Sequence, residues 1–303
     1  MIKVSVILTT YNSEKFLQRT IDSVLTQEGK GDIFNLELVV IDDCSHDQTT
    51  DILKKNQIHF YSTNSNSGGP NRGRNIGLSK ASGDYIIVMD HDDEWLPNRI
   101  ITQLKYSQYA PIITCGYLVI ENQSKQIPRV SVKNCVNGFI KYQKNETFCD
   151  KISRTKNKQI TYMGSIMFHK RLKGIKFEEH FGQIDFDWIA HLFYNNESVE
   201  VCEILYKRYV DKSNLSLNKQ YRIRDYFYSL LTLEEFLPEF RKEVKLGRKR
   251  INGTRARYHY LLEEMSEARV YFRRSSFNLK TILFWLTSFA GYKFVIKKFN
   301  FFG

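Results

Sequence analysis

Apolar residues in the first 110 positions follow two alternating rhythms. Val4–Thr10 is a continuous, β-branched run, the pattern of a strand buried on both faces. Leu17, Ile21, Val24 and Leu25 then recur at helical spacing, behind Ser13, a residue suited to capping that helix. Glu37–Asp42 (ELVVID) predicts a second buried strand, and Ser45 with Gln48 resembles a capping box for a helix over about 47–55. Ile58–Ser62 predicts a shorter strand. After the polar loop Asn64–Gly69, Pro70 suits the first turn of a helix and Gly83 its end. Tyr85–Met89 predicts a third strongly apolar strand, and Pro97 opens another helix. This β-α-β-α order predicts an α/β domain with a mostly parallel central sheet, flanking helices and right-handed crossovers.

Ligands of such sheets sit beyond the carboxyl ends of the strands. Three polar clusters fall there: Thr9–Asn12, Asp42–Ser45 and Asp90–Asp93. Their convergence is the main functional expectation from pattern alone. Further on, Ile112–Ile120, Tyr162–His169 and Val199–Tyr206 read as strands and Asp185–Tyr194 as a short helix. Asn122–Lys158 reads as a polar excursion. From about residue 220 the pattern turns helical, over Tyr226–Leu237 and Arg257–Phe272. The organisation expected is a catalytic or binding domain over 1–219 and a helical region over 220–303.

Composition sharpens this division. The 303 residues are 42% hydrophobic and 26% charged, enough for a substantial core and against wholesale disorder. The net charge is +12, and residues 220–303 hold +9 of it, with no acidic residue after Glu267. The anionic partner of a basic chain therefore concerns mainly the tail. Five cysteines (Cys44, Cys115, Cys135, Cys149, Cys202) are scattered and lack CxxC spacing, which argues against a disulfide framework or zinc ribbon and fits a reducing compartment. The N-terminal apolar run is broken too early for a signal peptide, and no stretch of about 20 apolar residues predicts a membrane span.

The Asp90-His91-Asp92-Asp93 cluster carries the candidate chemistry. Carboxylates at the end of a buried strand are costly unless they meet water, cations or donors. Two of them separated by one residue can hold a hard divalent cation that keeps phosphate oxygens as further ligands. The competing phosphate motifs, GxxxxGK[ST] and GxGxxG after a strand, are absent. The segment SGGPNRGRN is either a tight turn into a helix or a helix start whose N–H groups, with Arg72 or Arg74, face a diphosphate.

The stretches VSVILTTYNSEKFLQRTIDSVLTQ, LVVIDDCSHDQTTDIL and NSGGPNRGRNIGLSKASGDYIIVMDHDDEWLP together resemble the inverting family 2 glycosyltransferases with the GT-A, Rossmann-like fold. The resemblance is specific over about residues 2–100. It is weaker through GSIMFHKRL and IDFDWIAHLF and fades by about 216. It implies that Thr9, Tyr11, Asp42, Asp43, Arg74 and Asp90 surround a nucleotide, with Tyr11 stacking on the base and Asp43 pairing with a uracil N–H. It implies that Asp92, with Asp90, binds Mn²⁺ or Mg²⁺, and that Trp95 and Trp188 lie near the donor or acceptor sugar. The family's Glu-Asp pair reads Ile184-Asp185 here, which leaves Asp185 as the base, with Asp187 as the alternative. Where relatives often carry a histidine, this chain offers Asp211, Lys212 and Ser213. The function implied is transfer of one sugar from a nucleotide-diphosphate sugar, a UDP-sugar in the first place, to a glycan or polyprenyl-diphosphate-linked acceptor in bacterial polysaccharide assembly. A non-catalytic nucleotide-sugar-binding homologue is the alternative. The processive synthases' QxxRW motif is absent.

The tail interleaves cations, from RKRINGTRAR (248–257) to Lys298, with Phe277, Leu279, Ile282, Leu283, Phe284, Trp285, Leu286, Phe289 and further aromatics. Such a segment suits either an interfacial helix on an anionic membrane or a packed C-terminal helix with a solvated basic face. The first makes the protein cytoplasmic and peripheral at the inner face of the membrane. No nucleic-acid module is recognisable, so a nucleic-acid partner is not expected.

Overall fold

A computed structural model describes residues 1–121, 125–131, 135–154, 159–180, 185–210 and 219–290. The chain forms two compact units: Met1–Phe148 with Asn157–Arg222, and Cys149–Lys156 with Ile223–Gly303.

The first unit is built on a ten-stranded sheet. Strands β1 (Ile2–Thr10), β2 (Phe34–Asp42), β3 (Phe60–Ser62) and β4 (Tyr85–Asp90) lie parallel in the order β3-β2-β1-β4. The sheet then becomes mixed. Strand β9 (Met167–His169) runs antiparallel between β4 and β6 (Ile112–Glu121). Strand β10 (Ser198–Val210) is parallel to β6 and pairs antiparallel with the two-residue β5 (Glu94–Trp95).

Alternation along β1 explains the layers. Val4, Val6 and Leu8 face one side and join Leu17, Ile21 and Val24 of α1 (Leu17–Leu25) in one fully buried cluster. Each such side chain contributes about 1.5–3 kcal/mol of apolar burial. Ile7 and Thr9 face the other side, beneath α3 (Asn71–Lys80). Helix α3 lies almost flat on the strand because it presents glycine there. A Cβ at Gly77 would stand 2.3 Å from Ile7 Cγ2, and one at Gly73 2.9 Å from Thr9 Cγ2.

Two predicted caps are replaced by other bonds. The Ser45 hydroxyl donates to Asp42 Oδ1 (2.6 Å) instead of capping α2 (Thr49–Lys55), whose first amide goes to Asp47 Oδ1 (3.0 Å). The Ser13 hydroxyl accepts the Tyr11 N–H, and its carbonyl takes the Phe16 and Leu17 amides. Pro70 directly precedes α3, as expected. Helix α4 (Arg99–Leu104) starts two residues after Pro97.

The polar excursion contains β7 (Lys125–Arg129), paired with β6, β8 (Phe139–Tyr142), paired with β10, and α5 (Glu146–Ile152). It also corrects the cysteine reading, because Cys135 and Cys202 form a disulfide. Val201 lies opposite Phe139, and the Cys202 amide donates to Gly138 O (3.0 Å). Strand pairing thus brings together two cysteines 67 residues apart, which counts and spacings do not register. Cys44, Cys115 and Cys149 are free.

The second unit contains α7 (Lys219–Glu235), α8 (Arg241–Leu261), α9 (Met265–Arg273) and α10 (Leu279–Thr287). The helix expected over Arg257–Phe272 is two helices, broken at Leu262–Glu264, where Glu263 adopts φ 66°. The basic run 248–257 lies within α8. Ile251 and Ala256 on it are buried, and a Cβ at Gly247 would stand 2.1 Å from Ile152 O. Among the described residues, no helix is long and apolar enough to cross a membrane. The expected features at Ile184, at Asp211–Ser213 and at 291–303 lie outside the described residues.

Candidate active site

Register brings the three polar clusters together. Across β1, Thr9 pairs with Asp90 of β4 and Thr10 with Asp42 of β2. Thr9, Asp42 and Asp90 therefore stand in a row at the carboxyl edge of the parallel strands.

At one end of the row, Asp42 and Asp43 organise loops. Buried Asp42 accepts the Thr10 hydroxyl (2.9 Å) and the Ser45 hydroxyl and amide. Asp43, also buried, accepts the Thr63 hydroxyl (2.7 Å) and the Ser67 amide (2.9 Å) and hydroxyl (2.8 Å). It thereby fixes the Asn64–Gly69 loop. Tyr11, by contrast, is 41% exposed beside this row, free for a stacking partner.

At the centre, the buried Arg74 guanidinium donates to Asp90 Oδ1 (2.8 Å) and Asn71 Oδ1 (2.9 Å). Asp90 Oδ2 accepts the Tyr162 hydroxyl (3.2 Å). The segment SGGPNRGRN therefore serves the site through side chains. Asn71 and Asn75 also donate to the carbonyls of Glu178 and Phe177 (2.8 and 2.9 Å), strapping that segment over α3. The Phe177 ring lies 5.3 Å from the Arg74 guanidinium and stacks at 4.4 Å on Trp188 of α6 (Phe186–Phe193). A continuous contact path thus joins Asp90 to α6.

Helix α1 clamps the acidic turn. The Thr20 hydroxyl lies 2.8 Å from both the His91 and Asp93 carbonyl oxygens, and Arg19 Nη2 donates to Asp92 O (2.7 Å). Burial raises the Asp92 carboxyl above the usual range, and neighbouring Asp90 adds to this; His91 and Arg208 oppose it. Burial pushes Asp93 much further up, reinforced by Asp92 and Asp90. Asp93 is 2% exposed, and its Oδ2 has no hydrogen-bond partner. Asp92 and Asp93, both with raised proton affinity and crowded beside Asp90, favour an added cation. Among the described residues no group of three or more acids, histidines or cysteines forms a cage for one. This donor set fits a hard divalent ion whose remaining ligands are oxygens of a bound phosphate.

Beneath the acids lies an aromatic floor that the sequence reading missed. Tyr117 sits 5.3 Å from Tyr162 and 5.2 Å from Tyr206, ring to ring. The Arg208 guanidinium covers the Tyr162 ring at 4.3 Å. Arg208 lies three residues before Asp211, and Asp93 closes the Asp90-His91-Asp92-Asp93 cluster. Their positions were visible, but their roles depend on β10 crossing beside β6.

The two tryptophans expected beside the sugars are core residues. Trp95 is 3% exposed, with the Arg99 guanidinium 4.1 Å above its ring. Trp188 is 1% exposed, and its Nε1 donates to Ile175 O (3.2 Å). Asp185 precedes α6, half-buried, and makes no side-chain capping bond. Asp187 is 8% exposed, with Oδ1 3.6 Å from His191 Nδ1.

Poly(ribitol-phosphate) beta-N-acetylglucosaminyltransferase TarS of Staphylococcus aureus is 41% identical over 97 residues, 31% of this chain and 17% of that protein. A GalNAc(5)-diNAcBac-PP-undecaprenol beta-1,3-glucosyltransferase of Campylobacter jejuni is 31% identical over 128 residues, 41% of this chain and 40% of that protein. The matches thus span less than half of these relatives. Among solved structures, S. aureus TarS 1–349 superposes with a TM-score of 0.68 at 17% identity, covering 100% of this chain and 92% of that one. Its complex with UDP-GlcNAc gives 0.66 at 19% identity, covering 95% and 79%. At these identities the likeness establishes the GT-A fold. The family model for glycosyl transferase family 2 matches residues 5–174, more than half of the chain. The chain belongs to glycosyltransferase family 2.

Proposed function

We propose that this glycosyltransferase moves one sugar from a UDP-sugar to a hydroxyl of a glycan or lipid-linked oligosaccharide, inverting the anomeric centre in a single displacement. The observation that carries the proposal is the meeting of Asp90 (paired with Thr9) and Asp42 (paired with Thr10) at the carboxyl edge of the sheet, with Asp92 and Asp93 crowded beside Asp90 and Arg74 anchoring it. Relatives named for UDP-GlcNAc binding and for transfer to an undecaprenol-linked glycan support the donor and acceptor classes.

The roles follow from chemistry. The exposed Tyr11 ring stacks on the base, and Asp43 holds the loop beside it. Asp92, with Asp90 beside it, holds Mn²⁺ or Mg²⁺, which when bound offsets charge on the departing diphosphate. Asp185 takes the acceptor's proton, because its carboxylate is not spent on capping α6, whereas Asp187 faces His191. The path from Asp90 through Arg74, Phe177 and Trp188 holds donor and acceptor residues in one frame. The acceptor class and the basic second unit support a location at the inner membrane surface.

The test is UDP release from a panel of UDP-sugars with glycan acceptors, in Mn²⁺ or Mg²⁺ and in chelator. Metal-dependent release with one donor is expected. UDP binding without release under any combination would make the chain a binding homologue instead.

A further inference from the structure

Helix α10 has two apolar faces, and among the described residues only one is packed. Phe284 and Trp285 pack against the cluster of Ala256, Tyr260, Ala268 and Phe272, while Thr281 and Ser288 are buried. Thr287 accepts the Tyr260 hydroxyl (3.0 Å), and Arg269 donates to Ser288 O (3.0 Å). These contacts fix the rotation of the helix. The opposite face carries Leu279 (74% exposed), Ile282 (40%), Leu283 (37%) and Leu286 (53%), at i, i+3, i+4 and i+7. Phe277 and Phe289, 78% and 60% exposed, extend this stripe at either end. An apolar stripe of this continuity is not left in water without a partner.

Charge indicates the partner. Lys280 lies exposed on α10 itself, Arg273 and Arg274 are exposed a few residues before it, and no acidic residue follows Glu267. A second copy of the chain would bring like charges together across the stripe, whereas an anionic lipid surface would neutralise them. We infer that this face of α10 lies in the headgroup and acyl boundary of an anionic membrane, with Leu279, Ile282, Leu283 and Leu286 inserted and Arg273, Arg274 and Lys280 on lipid phosphates. The inference rests on the proposed function only for the placement of the acceptor at a membrane.

The test uses the full chain and vesicle flotation. Phosphatidylcholine with about one third phosphatidylglycerol is compared with pure phosphatidylcholine. Deletion of α10 would expose Phe284 and Trp285, so outward-facing point variants are used. Wild type is expected to float with the anionic vesicles and not with the neutral ones. Ile282→Glu combined with Leu286→Glu should weaken binding at least about tenfold. Arg273→Gln, Arg274→Gln and Lys280→Gln together should weaken it about a hundredfold, at about fivefold per cation. Circular dichroism and UDP binding should be unchanged in both variants. Equal binding to neutral vesicles, or unimpaired binding by the Glu pair, would overturn the inference. So would a wild-type dimer that the Glu pair dissociates. UDP-sugar turnover in the same samples separates the two proposals. Vesicle binding without turnover overturns the enzymatic reading alone, and turnover without vesicle binding overturns the membrane face alone.

Discussion

Arg74→Met tests the contact that holds the site together. The Arg74 side chain is 6% exposed and that of Asp90 24%, with 2.8 Å between them. Removing one partner of a buried ion pair costs about 3–5 kcal/mol, because the other charge is left uncompensated. Asp90 keeps the Tyr162 hydroxyl and some access to water, which lowers this to about 2 kcal/mol. Loss of the guanidinium from the Phe177 face adds about 0.5–1 kcal/mol. The expected loss is therefore about 3 kcal/mol. It is measured by urea unfolding followed through tryptophan fluorescence, which Trp95 and Trp188 report from the core of this unit. Arg74→Lys should recover less than half, since an ammonium cannot reproduce the fork that reaches both Asn71 and Asp90. A loss below about 1 kcal/mol for Arg74→Met would refute the reasoning.

Glu37 gives a pH prediction. Burial pushes its carboxyl up, but donors from Lys3, Ser5 and Ser82 outweigh that and hold it at about 2 against an ordinary 4.5. A depressed folded-state value means that the ionised form stabilises the fold above about pH 4.5, and that this stability is lost as pH falls toward 2. Glu37→Gln should therefore be about 2–3 kcal/mol less stable at neutral pH, and the gap should close in acid. A gap that stays constant down to about pH 3 would contradict this. Asp185→Asn should stop transfer while leaving UDP binding and thermal stability intact; retained turnover would shift the base to Asp187.

The parallel half of the fold was legible because strands buried on both faces read as unbroken apolar runs. The clusters at their ends were legible for the same reason: polarity at the end of such a run marks the carboxyl edge of the sheet. Roles decided by a single bond were not legible. Ser45 has the spacing of a helix cap, yet Asp42 lies closer in space and takes its hydroxyl. Trp95 and Trp188 sit in site motifs, yet both fill the core, because an indole buries more apolar surface than any other side chain. Helix α8 was hidden because glycine and dense charge dilute its period, while the glycines permit its close packing. Arg208 gains its place only through the pairing of β10 with β6 across a long stretch of sequence. The Cys135–Cys202 bond likewise depends on β8 meeting β10.

The central claim is that the acidic row receives a nucleotide diphosphate with the help of a cation. Titration calorimetry of UDP into wild type and Asp92→Asn, each with Mn²⁺ and with chelator, tests it most directly. Wild type should bind UDP at least about tenfold more tightly with Mn²⁺, and Asp92→Asn should lose that gain while keeping its fold. Equal UDP affinity of the two proteins in Mn²⁺ would contradict the account.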